Sequence, residues 1–281
     1  MGAGRSGTTA LATFLGNSSE ILNLGEMHQY FKHIADEKEC SCGDQLKNCK
    51  FWDNKISNNL IQSSTKNRFL SEKFESHSSI FKHILQLFSK KEIKEYIEIH
   101  QQLLNTIQLD SEKTILLDSS KYIGRALALD KLENIDLKVI YVVRDVRGVI
   151  NSFSKKVQTS KSPFSSIAYY LAINLVAEFI SLFILRKKVI KIRYEDLIEN
   201  PIQLFEKLEK FINVDLTDVK EKICQEQPFS IGHIIGGNRL KENKEIYFRK
   251  DIGWQEKFSS FQRVIYYILS APIMLLNRYK L

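Results

Sequence analysis

The stretch Gly-Ala-Gly-Arg-Ser-Gly-Thr-Thr at residues 2–9, running on into Ala10–Leu15, decides how the rest of the chain is read. Glycines let successive backbone N–H groups converge. A helix start adds unpaired donors and the positive end of a dipole, so this segment is built to hold an anion. The spacing of Gly2 and Gly7 matches the glycine pair of a nucleotide-triphosphate loop, but Thr8 stands where that loop requires lysine. Without the ammonium, the outer phosphates of ATP lose their usual partner. No carboxylate at the end of an apolar strand offers Mg2+ a convincing seat. A nucleotide kinase or NTPase stays as the competing reading of the loop.

A second anion site follows far along the chain. The run YVVRDVRGVINSFS at 141–154 places Arg144 at the C-terminal end of a strand and Ser152 on the helix that begins near Asp145. In open α/β sheets, ligands gather outside the carboxyl ends of strands. Arg144 is therefore positioned to fork onto a phosphate, with Ser152 a second donor about two helical turns further on. The alternative is a surface ion pair of Arg144 with Asp145 or Asp118.

Thr114–Leu117 and Lys138–Val143 read as short buried strands, and Val189–Ile192 as a third. Strands alternating with helices predict an α/β fold of P-loop-like, three-layer type, with a parallel central sheet flanked by helices. Between Glu26 and Leu109 no strand pattern appears. That region holds a polar stretch, Asn54–Asn67, and helical patterns at Ser79–Phe88 and Ile93–Ile107, so 27–110 reads as a helical insertion, a lid for the acceptor. With no internal repeat and no Pro/Gly/Ser linker, residues 1–281 are expected to form one domain.

Composition narrows the partners. Across 281 residues there are 41 Lys plus Arg against 33 Asp plus Glu, a net charge of +8, and 43% of residues are hydrophobic. Twelve glycines and four prolines, without low-complexity tracts, exclude collagen-like and largely disordered chains. The surplus of base suits an anionic partner, which phosphates at two ends of a small molecule satisfy without nucleic acid. No apolar run precedes the loop, so a cytoplasmic location is expected. Ile167–Leu185 approaches the length of a membrane span, but Asn174 and Glu178 in its middle favour a buried helix with those groups on its polar side. Val264–Leu276 is too short to span and contains Pro272, which leaves packing against the body or weak contact with a membrane surface.

With these residues in view, GAGRSGTT resembles the 5′-phosphosulfate loop of sulfotransferases, and RDVRGVINS resembles their 3′-phosphate motif. LNLGE at 22–26, LLDSSK at 116–121, IRYEDLIENP at 192–201, and GGNR at 236–239 followed by FRKDIGW at 248–254 continue the resemblance in order. It implies 3′-phosphoadenosine-5′-phosphosulfate (PAPS) as donor, adenosine bisphosphate (PAP) as product, and a hydroxyl or amine as acceptor. CSCGDQLKNCKFW at 40–52 is similar to a segment of bacterial-type members acting on carbohydrates or other small hydroxyl compounds. In this resemblance Gly4, Arg5, Ser6, Gly7, Thr8 and Thr9 hold the 5′ end. Arg144 and Ser152 hold the 3′-phosphate, with Arg239, Arg249 and Lys250 as further contacts. A catalytically inactive PAP-binding homologue is the other outcome the resemblance allows. Members also carry a buried strand just before the loop, where this chain has only Met1; either the chain begins late or another segment fills that place.

Transfer requires a base for the acceptor proton. Glu26, after Gly25, resembles the catalytic glutamate of the tyrosylprotein and carbohydrate branches, with His28 and His33 as rivals. Lys121 of DSSK is expected to stabilise sulfuryl oxygens or contact the acceptor. Of the thiols Cys40, Cys42, Cys49 and Cys224, the first three allow reduced packing, a Cys42–Cys49 disulfide or structural zinc. They lack the paired CxxC spacing of a robust zinc site, so free thiols and no metal are expected.

Overall fold

The computed structural model describes residues 1–155, 160–237, 243–248 and 253–281. In chain order the elements are α1 (Thr8–Leu15), β1 (Ile21–Gly25), α2 (Tyr30–Ala35), α3 (Asn58–Glu75), α4 (Ile80–Ile84), α5 (Lys90–Leu109), β2 (Ile115–Asp118), α6 (Ile123–Leu129), β3 (Val139–Val143), α7 (Val146–Ser154) and α8 (Pro163–Phe179). There follow β4 (Val189–Arg193), α9 (Tyr194–Glu199), α10 (Pro201–Ile212), α11 (Thr217–Cys224), β5 (Phe229–Ser230), β6 (Glu245–Ile246), α12 (Trp254–Lys257), α13 (Ser260–Leu269) and α14 (Ala271–Leu276). The expected α/β character holds: short parallel strand pairs stand among many helices. The chain divides into two compact units.

The first unit comprises Met1–Thr8, Lys138–Asn213 and Phe248–Leu281. Its β3 and β4 pair in parallel from Val139 opposite Val189 to Val143 opposite Arg193. β3 is a near-continuous apolar run whose residues are buried apart from Ile140, as befits a strand covered on both faces. Met1 lies along β3 as well: its ammonium donates to the Ile140 carbonyl at 2.6 Å, and its own carbonyl accepts from the Val142 amide at 3.0 Å. One residue bonded to both neighbours of Tyr141 is the pattern of a parallel ladder. The backbone entering the loop is thus tied to β3 at Met1.

The helix read from Ile167–Leu185 begins at Pro163, and a π-turn at Ile180–Ile184 closes it. Its polar residues point the other way from the sequence expectation. Asn174 is fully buried and accepts from the Tyr141 hydroxyl at 3.1 Å, while Glu178, also buried, takes the Lys191 ammonium at 2.9 Å. Leu175, Phe179, Leu182 and Phe183 are exposed. The reason is local: Tyr141 and Lys191 of the strand pair offer partners that water would otherwise supply. Among the described residues, Pro163–Ile184 is the one helix long and apolar enough to cross a membrane.

The second unit comprises Thr9–Leu137 and Val214–Tyr247. Its β1 and β2 pair in parallel, with a register shift that sets Gly25 opposite Asp118. Two apolar clusters carry this unit. Leu24 of β1 packs with Tyr30, Phe31, Trp52 and Ile107 from the 27–110 segment, so the insertion shares the core of the strand pair. Behind it, Phe74 of α3 stacks on Phe88 at 4.1 Å and on Tyr96 at 4.7 Å between ring centres. Ser89 starts α5 with a reciprocal capping box to Glu92, which fixes where that helix begins. A buried ion network runs through the same region: Arg125 of α6 meets Glu75 at 2.6 Å and Asp118 at 2.5 Å.

Candidate active site

The loop before α1 is held open by its neighbours in the first unit. Gly7 has φ +91°, and a Cβ there would come within 2.2 Å of the Tyr194 ring, so no other residue fits without displacement. Arg5 also has positive φ, at 69°, and its guanidinium lies 5.6 Å from the centre of the Phe153 ring. Gly4 donates its amide to the Tyr169 hydroxyl at 3.0 Å. The Ser6, Thr8 and Thr9 hydroxyls are buried and have no hydrogen-bond partner among the described residues. Buried polar groups are nearly always paired in native proteins, so three such hydroxyls within four residues are an unusual grouping.

Arg144 directly follows β3 and is buried. Its guanidinium lies 4.1 Å over the Tyr194 ring, donates to the Arg5 carbonyl at 3.2 Å, and packs so near Gly148 that a Cβ there would sit 2.7 Å from Nε. Asp145 is paired with Arg147 at 2.6 Å and Asp118 with Arg125 at 2.5 Å. Ser152 is half-buried on α7, one helical turn beyond Gly148 on the same face.

In the second unit β1 delivers Glu26. Gly25 has φ +80°, and a Cβ there would lie 2.3 Å from the Ile235 carbonyl, which itself accepts the Glu26 amide at 2.6 Å. The buried Glu26 carboxylate is ion-paired with Lys121 through Oε1, and Gln29 donates to Oε2 at 2.6 Å. Burial opposes its ionisation, yet the Lys121 ammonium and the Gln29 amide hold the carboxyl below its ordinary value. His28 follows two residues on, its Nδ1 3.0 Å from the Ser120 hydroxyl. Burial pushes its pKa down to about 4, which leaves a neutral imidazole at neutral pH.

Comparison with known proteins settles the family. The model of the Sulfotransferase family matches residues 1–218. The chain belongs to the sulfotransferase family. In fold it is similar to the sulfotransferase domain from the curacin biosynthetic pathway, with a TM-score of 0.55 and 17% identity over 100% of this chain and 96% of that one. A mouse sulfotransferase, SULT7A1, complexed with PAP, matches with a TM-score of 0.37 and 14% identity over 61% of this chain and 70% of that one. No curated protein matches the sequence.

In this sulfotransferase the predicted residues Arg5 and Arg144 come together, as do Glu26 and Lys121. His33, the other rival base, is buried on α2. Arg239, Arg249 and Lys250 lie outside the described residues. Several contributors went unread in the sequence: Tyr194 and Tyr169, which shape the loop, and Gln29 and Ser120, which dress the carboxylate and imidazole. Tyr194 had a signal, since it opens the YEDLIENP motif. Ser120 had one too, within LLDSSK, whereas Tyr169 and Gln29 sit where the local pattern carries no chemistry.

Proposed function

We propose that this sulfotransferase uses PAPS as donor and transfers its sulfuryl group to a hydroxyl or amine of a carbohydrate or other small hydroxyl compound. The observation that carries the donor is the set of buried hydroxyls of Ser6, Thr8 and Thr9, without a partner among the described residues, on a loop opened by glycine. A tetrahedral anionic ester accepts such donors, and Arg5 adds the charge that a leaving phosphate needs. Bound there, the donor supplies an electrophilic sulfur whose bond to the bridging phosphate oxygen breaks as the acceptor oxygen bonds to it.

The chain's own residues then divide the work. Gly4, Arg5, Ser6, Gly7, Thr8 and Thr9 hold the 5′ end. Arg144 and Ser152 hold the 3′-phosphate, with Arg239, Arg249 and Lys250 as further contacts. Glu26 takes the acceptor proton: each carboxylate oxygen accepts one bond from Lys121 or Gln29 and retains a lone pair for a third. Lys121 keeps that carboxylate ionised despite burial. Thr8 in place of a P-loop lysine disfavours a kinase. Calorimetric titration with PAP and ATP, with and without Mg2+, tests the reading: PAP should bind independently of the metal. Mg2+-dependent ATP binding in preference to PAP would overturn it.

A further inference from the structure

We propose that Cys40, Cys42, Cys49 and His233 form a tetrahedral site for one zinc ion, which ties the 40–52 segment to the 231–237 loop. Their three sulfurs and one imidazole nitrogen lie within 4.8 Å of one another. Cys42 and Cys49 have sulfurs 3.6 Å apart, and His233 Nδ1 is 3.2 Å from Cys49 Sγ and 4.0 Å from Cys40 Sγ. With Zn–S near 2.3 Å and Zn–N near 2.0–2.1 Å, the edges of a zinc tetrahedron are about 3.5–3.8 Å, a range these distances bracket. A disulfide needs sulfurs about 2.05 Å apart and would use only two of the three thiols.

The segments that carry the ligands are fixed by groups other than the ligand atoms. Gly43, with φ +95° and open space around it, lets the chain turn so that the Cys40 amide donates to the Asp44 carbonyl at 2.9 Å and the Gly43 amide to the Cys40 carbonyl at 3.0 Å. Ser41 joins this turn to the histidine loop. Its hydroxyl donates to the Gly232 carbonyl at 2.6 Å and accepts from the Ile234 amide at 2.9 Å. The Trp52 indole donates to the His233 carbonyl at 3.1 Å, and the Phe51 ring lies parallel to the imidazole. Such support orients ligands before the metal arrives. Cys40 and Cys49 are buried while Cys42 is exposed, which gives an ion a way in.

Three thiolates and an imidazole in a closed tetrahedron suit zinc in a structural role, with no position left for a substrate. Its place in the fold says what it supports. Ile235, two residues after His233, donates to the Leu24 carbonyl at 3.0 Å and accepts the Glu26 amide at 2.6 Å. Gly236 abuts Gln29 so closely that a Cβ would lie 2.7 Å from its amide nitrogen. The ion therefore braces the backbone on which Glu26 and Gln29 rest. The assignment replaces the expectation of free thiols and stands independently of the donor reading.

The test is elemental analysis of the full chain, purified under reducing conditions without chelator from zinc-supplemented culture. One zinc per chain is expected. Cys42→Ser and His233→Asn should weaken zinc retention by at least the roughly 10–100-fold that loss of an outer-shell partner costs. Cys224→Ser, an exposed thiol outside the cluster, should leave zinc content unchanged. Because a ligand variant can fail to fold, the wild-type chain is also stripped of metal and titrated with Co2+, with thiolate charge-transfer and tetrahedral d–d absorption expected. A metal-free protein whose Co2+ spectrum is only octahedral overturns the site. So does iron or copper in place of zinc, equal zinc loss in Cys224→Ser, or an intact mass short of two hydrogens that maps to Cys42 and Cys49.

Discussion

The Tyr194 ring fills the space where Gly7 lacks a side chain, with an ideal Cβ of Gly7 falling 2.2 Å from it. The other arm of the same contact is Arg144, whose guanidinium lies 4.1 Å over that ring. One aromatic residue, placed by the turn from β4 into α9, therefore sets both the curvature of the anion loop and the position of the arginine assigned to the 3′-phosphate. Its attraction for the cation adds to this positioning, since a guanidinium over an aromatic face is favourable.

Gly7→Ala should lose donor binding through geometry alone. Positive φ costs an L residue about 1–2 kcal/mol, and the steric overlap with Tyr194 adds to it. PAP affinity measured by calorimetry should fall at least tenfold, which is about 1.4 kcal/mol. Gly7→Ala in a Tyr194→Ala background removes the overlap but not the strain, so part of the loss should persist. Undiminished PAP binding by the single variant would show that the loop does not hold the donor.

Arg144→Ala should weaken PAP binding by roughly 1.5–3 kcal/mol, the worth of hydrogen bonds to a charged group. Arg144→Lys should recover little of it, because an ammonium lacks the planar fork that donates to the Arg5 carbonyl while facing a phosphate. The informative comparison is PAP against adenosine 5′-monophosphate, which differs from it only by the 3′-phosphate. The variant should lose discrimination between them, and discrimination that survives would take Arg144 away from the 3′-phosphate.

The Glu26–Lys121 pair makes a pH prediction. The folded carboxyl titrates below its ordinary value of 4.5, so its stabilising effect is present above that value and is lost as pH falls through the lower folded one. Lys121→Met removes the counter-charge and leaves burial, which raises the carboxyl. The acid limb of kcat/KM should therefore move to higher pH in Lys121→Met, and Glu26→Gln should abolish turnover while PAP still binds. His28→Gln should keep turnover and an acid limb, moved slightly to higher pH because the His28 charge helps to hold the Glu26 carboxyl down. An acid limb that vanishes with His28 would make the imidazole the base.

Local signals were legible and long-range ones were not. The strand runs at 114–117, 138–143 and 189–192 fall within a residue of the observed β2, β3 and β4, because short β-branched stretches have few alternatives. β1 escaped notice: Ile-Leu-Asn-Leu-Gly is brief, and Asn23 interrupts its apolar pattern. The polar tract from Asn54 became most of α3, whose inward face is built partly of Ser64, Asn67 and Ser71 and so shows no apolar stripe. Arg5 and Arg144 were found because each sits in a motif with its own chemistry. His233 was not, since it is separated from Cys49 by 184 positions and lies in a segment without a pattern of its own.

The buried network behind β2 makes stability depend on Arg125. Arg125 is the counter-charge of Glu75 and Asp118, and Asp118 in turn accepts the Met27 amide at 3.3 Å and the Ser120 amide at 2.8 Å, fixing the turn that follows Glu26. Arg125→Met should cost about 3–5 kcal/mol in urea unfolding, because it strands charge in a dry site. Burial already raises Glu75, and without Arg125 its folded pKa climbs further above the unfolded one. The penalty is then small below the unfolded value and grows as pH rises toward the folded one, so the variant should lose less stability at acidic pH than at neutral pH. Adding Glu75→Gln should restore part of the loss at neutral pH. If the cost of Arg125→Met is the same across that range, stranded Glu75 charge is not its cause, and lost packing of the arginine stem is.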